Sequence, residues 1–194
     1  VRGNYCTLNP LFNGGTLTQG NLKFEPPSWD WTRGTLGVTS GKWYFELKKL
    51  NDGADNCVVG WGLPSFTNDS YNMAPGGMWN SMMIYSSNQG KTEGGSENAS
   101  AQNYGNTWHD AGTYIGVALD FDNKAMYFAK NNSWQNSGDP TSGASKTGAV
   151  FHQDLSAATI VTPLVGGYGD EGDSEVNFGQ RAFKYTAPSG YKAL

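Results

Sequence analysis

The chain has 194 residues with 13 Lys or Arg against 17 Asp or Glu, a formal net charge of -4, and this argues against a phosphate-binding surface, because nucleic-acid affinity rests on clustered cations that release counterions. Its 37% hydrophobic and 13% aromatic content is too apolar for a disordered chain, and it holds no run of about 18 apolar residues of the kind that spans a membrane. The 27 glycines follow no tripeptide period, which excludes collagen and reads as turns between many short strands.

The first strand signal is Asn21 to Phe24, followed by loop chemistry at Pro26, Pro27 and Trp29. Next comes Lys42 to Leu50, where Trp43, Phe45 and Leu47 alternate with Tyr44, Glu46 and Lys48. The period of two predicts that Trp43, Phe45 and Leu47 face a core. Lys42, Lys48 and Lys49 are the nearest approach to a cationic cluster, and they read as a solvated strand edge. In Cys57 to Trp61 the thiol shares a face with Val59 and Trp61, where it acts as a small hydrophobe. Cys6 is the other cysteine; two buried thiols are expected, since a disulfide needs the Cα atoms within about 7 Å.

Leu63 to Met78 is irregular and reads as a surface loop, and Met82 to Ser86 is the next strand. Tyr114 to Phe121 and Ala125 to Lys130 then form the strongest signal in the chain. Ile115, Val117, Leu119 and Phe121 alternate with Gly116, Ala118, Asp120 and Asp122, and a tight turn with positive φ falls at Asp122-Asn123 or Asn123-Lys124. Asp120 and Asp122 are explained as side chains that cap this turn. A second irregular loop, Asn131 to Gly148, follows. Leu155 to Ala158 is the one place for a helical turn, too short to be stable unaided. Thr162 to Gly166 and Ser174 to Phe178 close the series. Many short strands and almost no helix predict an all-β fold, a two-layer antiparallel β-sandwich formed by a single domain over 1–194.

Signals for chemistry are weak. Gly167-Tyr168-Gly169-Asp170-Glu171-Gly172 matches G-x-G-x-x-G, but acidic residues and a strand follow where a dinucleotide site needs a helix N-terminus. Asp170, Glu171, Asp173 and Glu175 offer oxygen ligands without EF-hand spacing, so a solvated acidic turn is the expectation. His109 and His152 lie at no metal-ligand spacing, and no G-x-S-x-G elbow exists. Glu46, Asp120, Asp122 and Glu175 are glycosidase candidates by residue type alone. No enzymatic activity, no cofactor and no metal are therefore expected. Of the tryptophans outside alternating strands (Trp29, Trp79, Trp108 and Trp134), Trp134 reads as a cap on the end of the sandwich and Trp29 as a binding anchor.

Gly41-Lys42-Trp43-Tyr44-Phe45-Glu46, Val58-Val59-Gly60-Trp61-Gly62, Ile115-Gly116-Val117-Ala118-Leu119-Asp120 and Pro163-Leu164-Val165 occur in the order found in SPRY domains, which the chain resembles over nearly its whole length. The opening Tyr5 to Pro10, Trp134 to Pro140 and the ending Asn177 to Leu194 resemble the form carried by large bacteriophage and bacterial proteins.

The resemblance implies a SPRY-like, concanavalin-like jelly-roll sandwich that catalyses nothing and binds through loops at one edge. Three loops carry over: Pro26, Pro27 and Trp29 in the first; Asn88, Gln89 and Lys91 in the second; Tyr168, Gly169 and Asp170 in the third. The expected function is partner recognition, with host attachment on a phage particle as its specific form. Structural decoration of a virion and a carbohydrate-active enzyme are the alternatives. Expected partners are a protein or glycan on a cell surface, or another virion subunit, with no nucleic acid and no membrane insertion. The expected location is a virion or an extracellular or cell surface, the chain being part of a larger protein.

Overall fold

Strict alternation at Ile115, Val117 and Leu119 builds the middle of the molecule. The computed structural model describes residues 3–53, 57–63, 81–85, 91–94, 102–150 and 158–194, with 81–85, 91–94 and 102–103 described by their backbone. In chain order the strands are β1 (Leu8–Asn13), β2 (Thr16–Thr18), β3 (Lys23–Glu25), β4 (Asp30–Gly34), β5 (Lys42–Lys49), β6 (Cys57–Gly62), β7 (Ser81–Tyr85) and β8 (Lys91–Gly94). They continue as β9 (Gln102–Asn103), β10 (Tyr114–Asp120), β11 (Ala125–Lys130), β12 (Ser133–Trp134), β13 (Thr162–Gly167), β14 (Ser174–Asn177) and β15 (Lys192–Ala193). The described helical turns are short 3₁₀ segments at Gln135–Ser137, Gly143–Ser145 and Asp170–Gly172.

One sheet runs β1-β4-β13-β6-β7-β8-β9 and the other β12-β11-β10-β5-β14-β3-β2, with β15 added parallel to β5. The remaining named pairings are antiparallel. The fold is the expected two-sheet β-sandwich. In the second sheet Val117 lies opposite Phe45 on one side and Phe128 on the other, and Leu119 opposite Trp43 and Met126. This row meets Val59, Trp61 and Val165 of the first sheet in one buried cluster. Phe45 sets its ring edge-on to Trp61, centroids 5.5 Å apart, and tilted against Phe178 at 5.3 Å. Trp43 departs from expectation: it packs on the core but is half-buried, its indole N–H donating to the Ser40 carbonyl at 2.7 Å.

Several sequence expectations need correction. β5 is not an edge strand; it lies between β10 and β14. Its outward residues are used accordingly, Lys42 pairing with Asp120 at 3.0 Å and Lys48 lying over the Tyr114 ring. The loop expected at 131–148 contains β12 and two 3₁₀ turns. Trp134 packs on the outer face of the second sheet against Tyr44, Ala118, Ala125 and Tyr127 rather than capping an end, and Trp108 is wholly buried in the central core. Both cysteines are free and buried, and burial pushes the Cys57 thiol up to about 11. The stretch at 64–78 and residues 155–157 of the helical turn expected at 155–158 lie outside the described residues, as do Trp79 and His152.

The β10–β11 turn spans four residues, because Asp120 pairs with Ala125 and the positive φ of 52° falls on Lys124. Asp120 caps it, accepting from the Asn123 backbone at 3.0 Å and from its side-chain amide at 2.8 Å. Burial alone would raise the Asp120 carboxyl, but these bonds and Lys42 outweigh it and hold the group below the usual carboxylate range. A carboxyl depressed on folding stabilises above its unfolded pKa, and that contribution is lost as pH falls through the folded value. We therefore expect the Tm gap between the native chain and Asp120→Asn to be widest near neutrality and to close on acidification. A gap independent of pH in calorimetry would contradict it.

After Phe178 the chain turns back across the outer face of the second sheet. Phe183, Ala187 and Tyr191 cover Tyr44, Ala118, Ala125 and Tyr127. The crossing ends at Leu194, which donates its N–H to Phe178 at 2.8 Å and accepts from the Cys6 N–H at 3.0 Å.

Candidate functional site

The register of β4 against β13 decides which loop residues meet. Gly166 lies opposite Trp31 and Gly167 opposite Asp30, so the next residues outward, Trp29 and Tyr168, emerge side by side at the sheet rim. Their rings stand 5.8 Å apart, tilted by 45°. Two of the three loops singled out in the sequence are thereby joined, while Gln89 and Asn88 of the other loop lie outside the described residues. Lys91 is not a loop residue; it opens β8 and pairs with Asn103.

Beneath this pair is an apolar floor on the outer face of the first sheet. Trp31, Val58 and Leu164 are buried there, with Phe12 and Trp29 packed against them. The period of two explains the arrangement, since Trp31 in β4 and Trp29 just before it stand two residues apart and pack in one cluster. Gly166 is required under Trp31, because a Cβ at this position would stand 2.2 Å from an indole carbon. The Arg33 guanidinium lies 3.9 Å above the centre of the Phe12 ring, extending the surface by a cation–π contact. Tyr168 is 46% exposed and Leu11 95% exposed, whereas Pro26 is buried and Pro27 exposed. Pro26 thus fixes the loop from inside, and Pro27 is its accessible residue.

The acidic turn beside Tyr168 is held by an internal cation. Gly169 adopts φ 55°, a left-handed conformation that glycine takes without penalty. Lys49, wholly buried at the end of the core face of β5, donates to the Glu171 carbonyl, and Asn51 donates to the Asp170 carbonyl at 2.7 Å. Asp173 faces Lys23 at 3.8 Å and Glu175 pairs with Arg181 at 2.6 Å. Burial raises the Asp173 carboxyl, partly offset by Lys23. Burial likewise raises Asp30 beside Trp29, partly offset by a bond from the Ser28 backbone. Among the described residues no three His, Cys, Asp or Glu side chains converge as a metal cage. This rim can anchor a partner through aromatic area and a few fixed polar groups.

The four carboxylates weighed as catalytic pairs have structural partners. Asp120 caps its turn, Asp122 accepts from the Gly41 N–H at 2.8 Å, and Glu175 pairs with Arg181. Glu46, 2% exposed, accepts from the backbone of Lys184 at 2.7 Å, the backbone of Tyr185 at 2.9 Å and the Tyr44 hydroxyl at 3.1 Å. It anchors the returning chain to β5, a role that residue type alone does not signal.

A family model described as the SPRY domain matches residues 42–162. Among curated proteins the chain is similar to an ATP-dependent RNA helicase DDX1 of Xenopus laevis, 27% identical over 204 residues covering 98% of this chain and 23% of that protein. The chain thus spans under a quarter of that relative's length. Among solved structures it is similar to the SPRY domain of human HERC1, with a TM-score of 0.63 at 15% identity, over 90% of this chain and 99% of that one. The latter likeness is one of fold.

Proposed function

The chain belongs to the SPRY domain family, a family of non-catalytic protein-interaction modules, and on that premise we propose that it recognises a protein partner through the rim formed by Trp29 and Tyr168, with Pro27, Gly169 and Asp170 beside them. The observation that carries this reading is the pairing of two aromatic rings from separate loops over a buried apolar floor. Large, stiff aromatic side chains give contact area at low entropic cost, and such residues dominate binding energy at interfaces. The rim is built on β4 and β13, so little ordering remains to oppose association.

For its wider setting we propose that the domain belongs to a larger protein on the exterior of a phage particle and attaches it to the host. The likeness of Trp134 to Pro140 and of both chain ends to the form in large phage and bacterial proteins supports this. Binding of the purified domain to host cells or host envelope is expected to fall about 30-fold or more in the Trp29→Ala, Tyr168→Ala double variant, since two anchors are each worth more than about 1 kcal/mol. Tm should change little, because Tyr168 is exposed and Trp29 half-buried. Protease treatment of the envelope should abolish binding, whereas loss only after glycan oxidation would reassign the partner to a sugar. Undiminished binding by the double variant would remove the rim from the reading.

A further inference from the structure

On the opposite outer face, where the returning chain crosses the second sheet, lies a pocket of about 470 Å³ lined by Glu46, Lys48, Tyr114, Glu175, Asn177 and residues 181–184. It is within the size range of small-ligand sites. We propose that this pocket is a second recognition site that takes a carboxylate side chain from an acidic peptide segment of a partner protein.

Its walls are fixed before any ligand arrives. The sheet supplies the floor through β5, β10 and β14. The far wall is tied down by the Glu46 bonds to Lys184 and Tyr185 and by the Asn177 amide donating to the Ala182 carbonyl at 3.1 Å. Phe183 packs edge-on against Tyr44 at 4.9 Å, and Tyr185 against Tyr114 at 6.0 Å.

The charges that line the pocket select the ligand. Three cations, Lys48, Arg181 and Lys184, line the pocket against two carboxylates. Both oxygens of Glu46 are taken by donors from the protein, and Glu175 is engaged by Arg181 at 2.6 Å. A cationic ligand would have to displace those donors. Lys48 and Lys184 have no ion pair among the described residues, Lys48 lying instead 5.9 Å from the Tyr114 ring centre. Two ammonium groups flanking a polar pocket suit a carboxylate held by charge-assisted hydrogen bonds.

The site does not depend on the Trp29–Tyr168 rim, which lies on the other sheet, so the two readings can fail separately. The test uses the full chain, labelled for amide NMR, titrated with a hexaglutamate peptide, with hexalysine and with inorganic phosphate. Hexaglutamate should shift the amides of Lys48 and of 181–185, and Lys48→Gln with Lys184→Gln should weaken its binding about tenfold or more. These changes keep the side-chain stems and leave the Lys184 backbone bond to Glu46 in place, so Tm should be retained. Trp29→Ala with Tyr168→Ala should leave the peptide shifts unchanged. Absence of shifts, equal binding by the double glutamine variant, a response to hexalysine, or phosphate reproducing the same shifts at the same concentration would overturn the proposal.

Discussion

Phe45→Ala is expected to lower the unfolding free energy by about 3–5 kcal/mol, the range for truncating a large buried aromatic. The ring has no exposed surface and touches both sheets, meeting Trp61 from the first and Phe178 at the end of β14. Val117, opposite it on β10, and Val176, opposite Leu47 on β14, are fixed by register on the strands flanking β5, so they have little freedom to collapse into the void. Urea melts should show a lower midpoint at an unchanged slope, with a fall in Tm on the order of 10 °C. A loss under about 1 kcal/mol would mean that the two sheets are not packed through this residue. Trp43→Ala should be milder despite the larger side chain, because Trp43 keeps part of its surface in water.

The second large effect is expected at Glu46. Its replacement by alanine strips acceptors from two backbone N–H groups and from the Tyr44 hydroxyl in a buried setting. Each orphaned donor costs about 1–3 kcal/mol unless water reaches it. The returning chain offers the way to water: by lifting away, Lys184 and Tyr185 regain solvent, at the expense of the Phe183 contact on Tyr44. We therefore expect a loss of about 3 kcal/mol together with faster hydrogen exchange confined to residues 181–194. Glu46→Gln keeps one acceptor oxygen and should fall between the two. Native-like protection at 181–194 in Glu46→Ala would sink the anchoring role, whatever the stability change.

The contrast between these two residues shows what a sequence of this kind discloses. Phe45 is legible because alternation is local: three apolar residues at every second position declare a buried face without reference to anything distant. The β10–β11 hairpin is legible for the same reason. Glu46 looks like a candidate acid because its partners are backbone groups 138 and 139 residues away, and backbone groups leave no trace in residue identity. β4 is hidden too. Asp30-Trp31-Thr32-Arg33-Gly34 holds one large apolar residue, and that residue faces outward over Gly166 rather than into the core. Trp29 and Tyr168 were each identifiable as rim residues, yet their adjacency follows from the β4–β13 register and so needed the strand that the pattern conceals.

Asp120 caps the turn at 121–124, as its place beside the hairpin end predicts, and the turn takes four residues with the left-handed backbone falling on Lys124. Of the two positions that the sequence leaves open, Asn123-Lys124 is the one that holds the positive φ, although Asn and Asp are the more usual occupants of such a conformation.

The hydrogen bond from Cys6 to Leu194 has a topological outcome. Cys6 and Leu194 are held side by side although 188 positions separate them, so segments fused near these two residues would start close together. A module wired in this way can be spliced into a surface loop of a host protein without prising the two sides of that loop apart, and it would project outward like a bulb on a short stem.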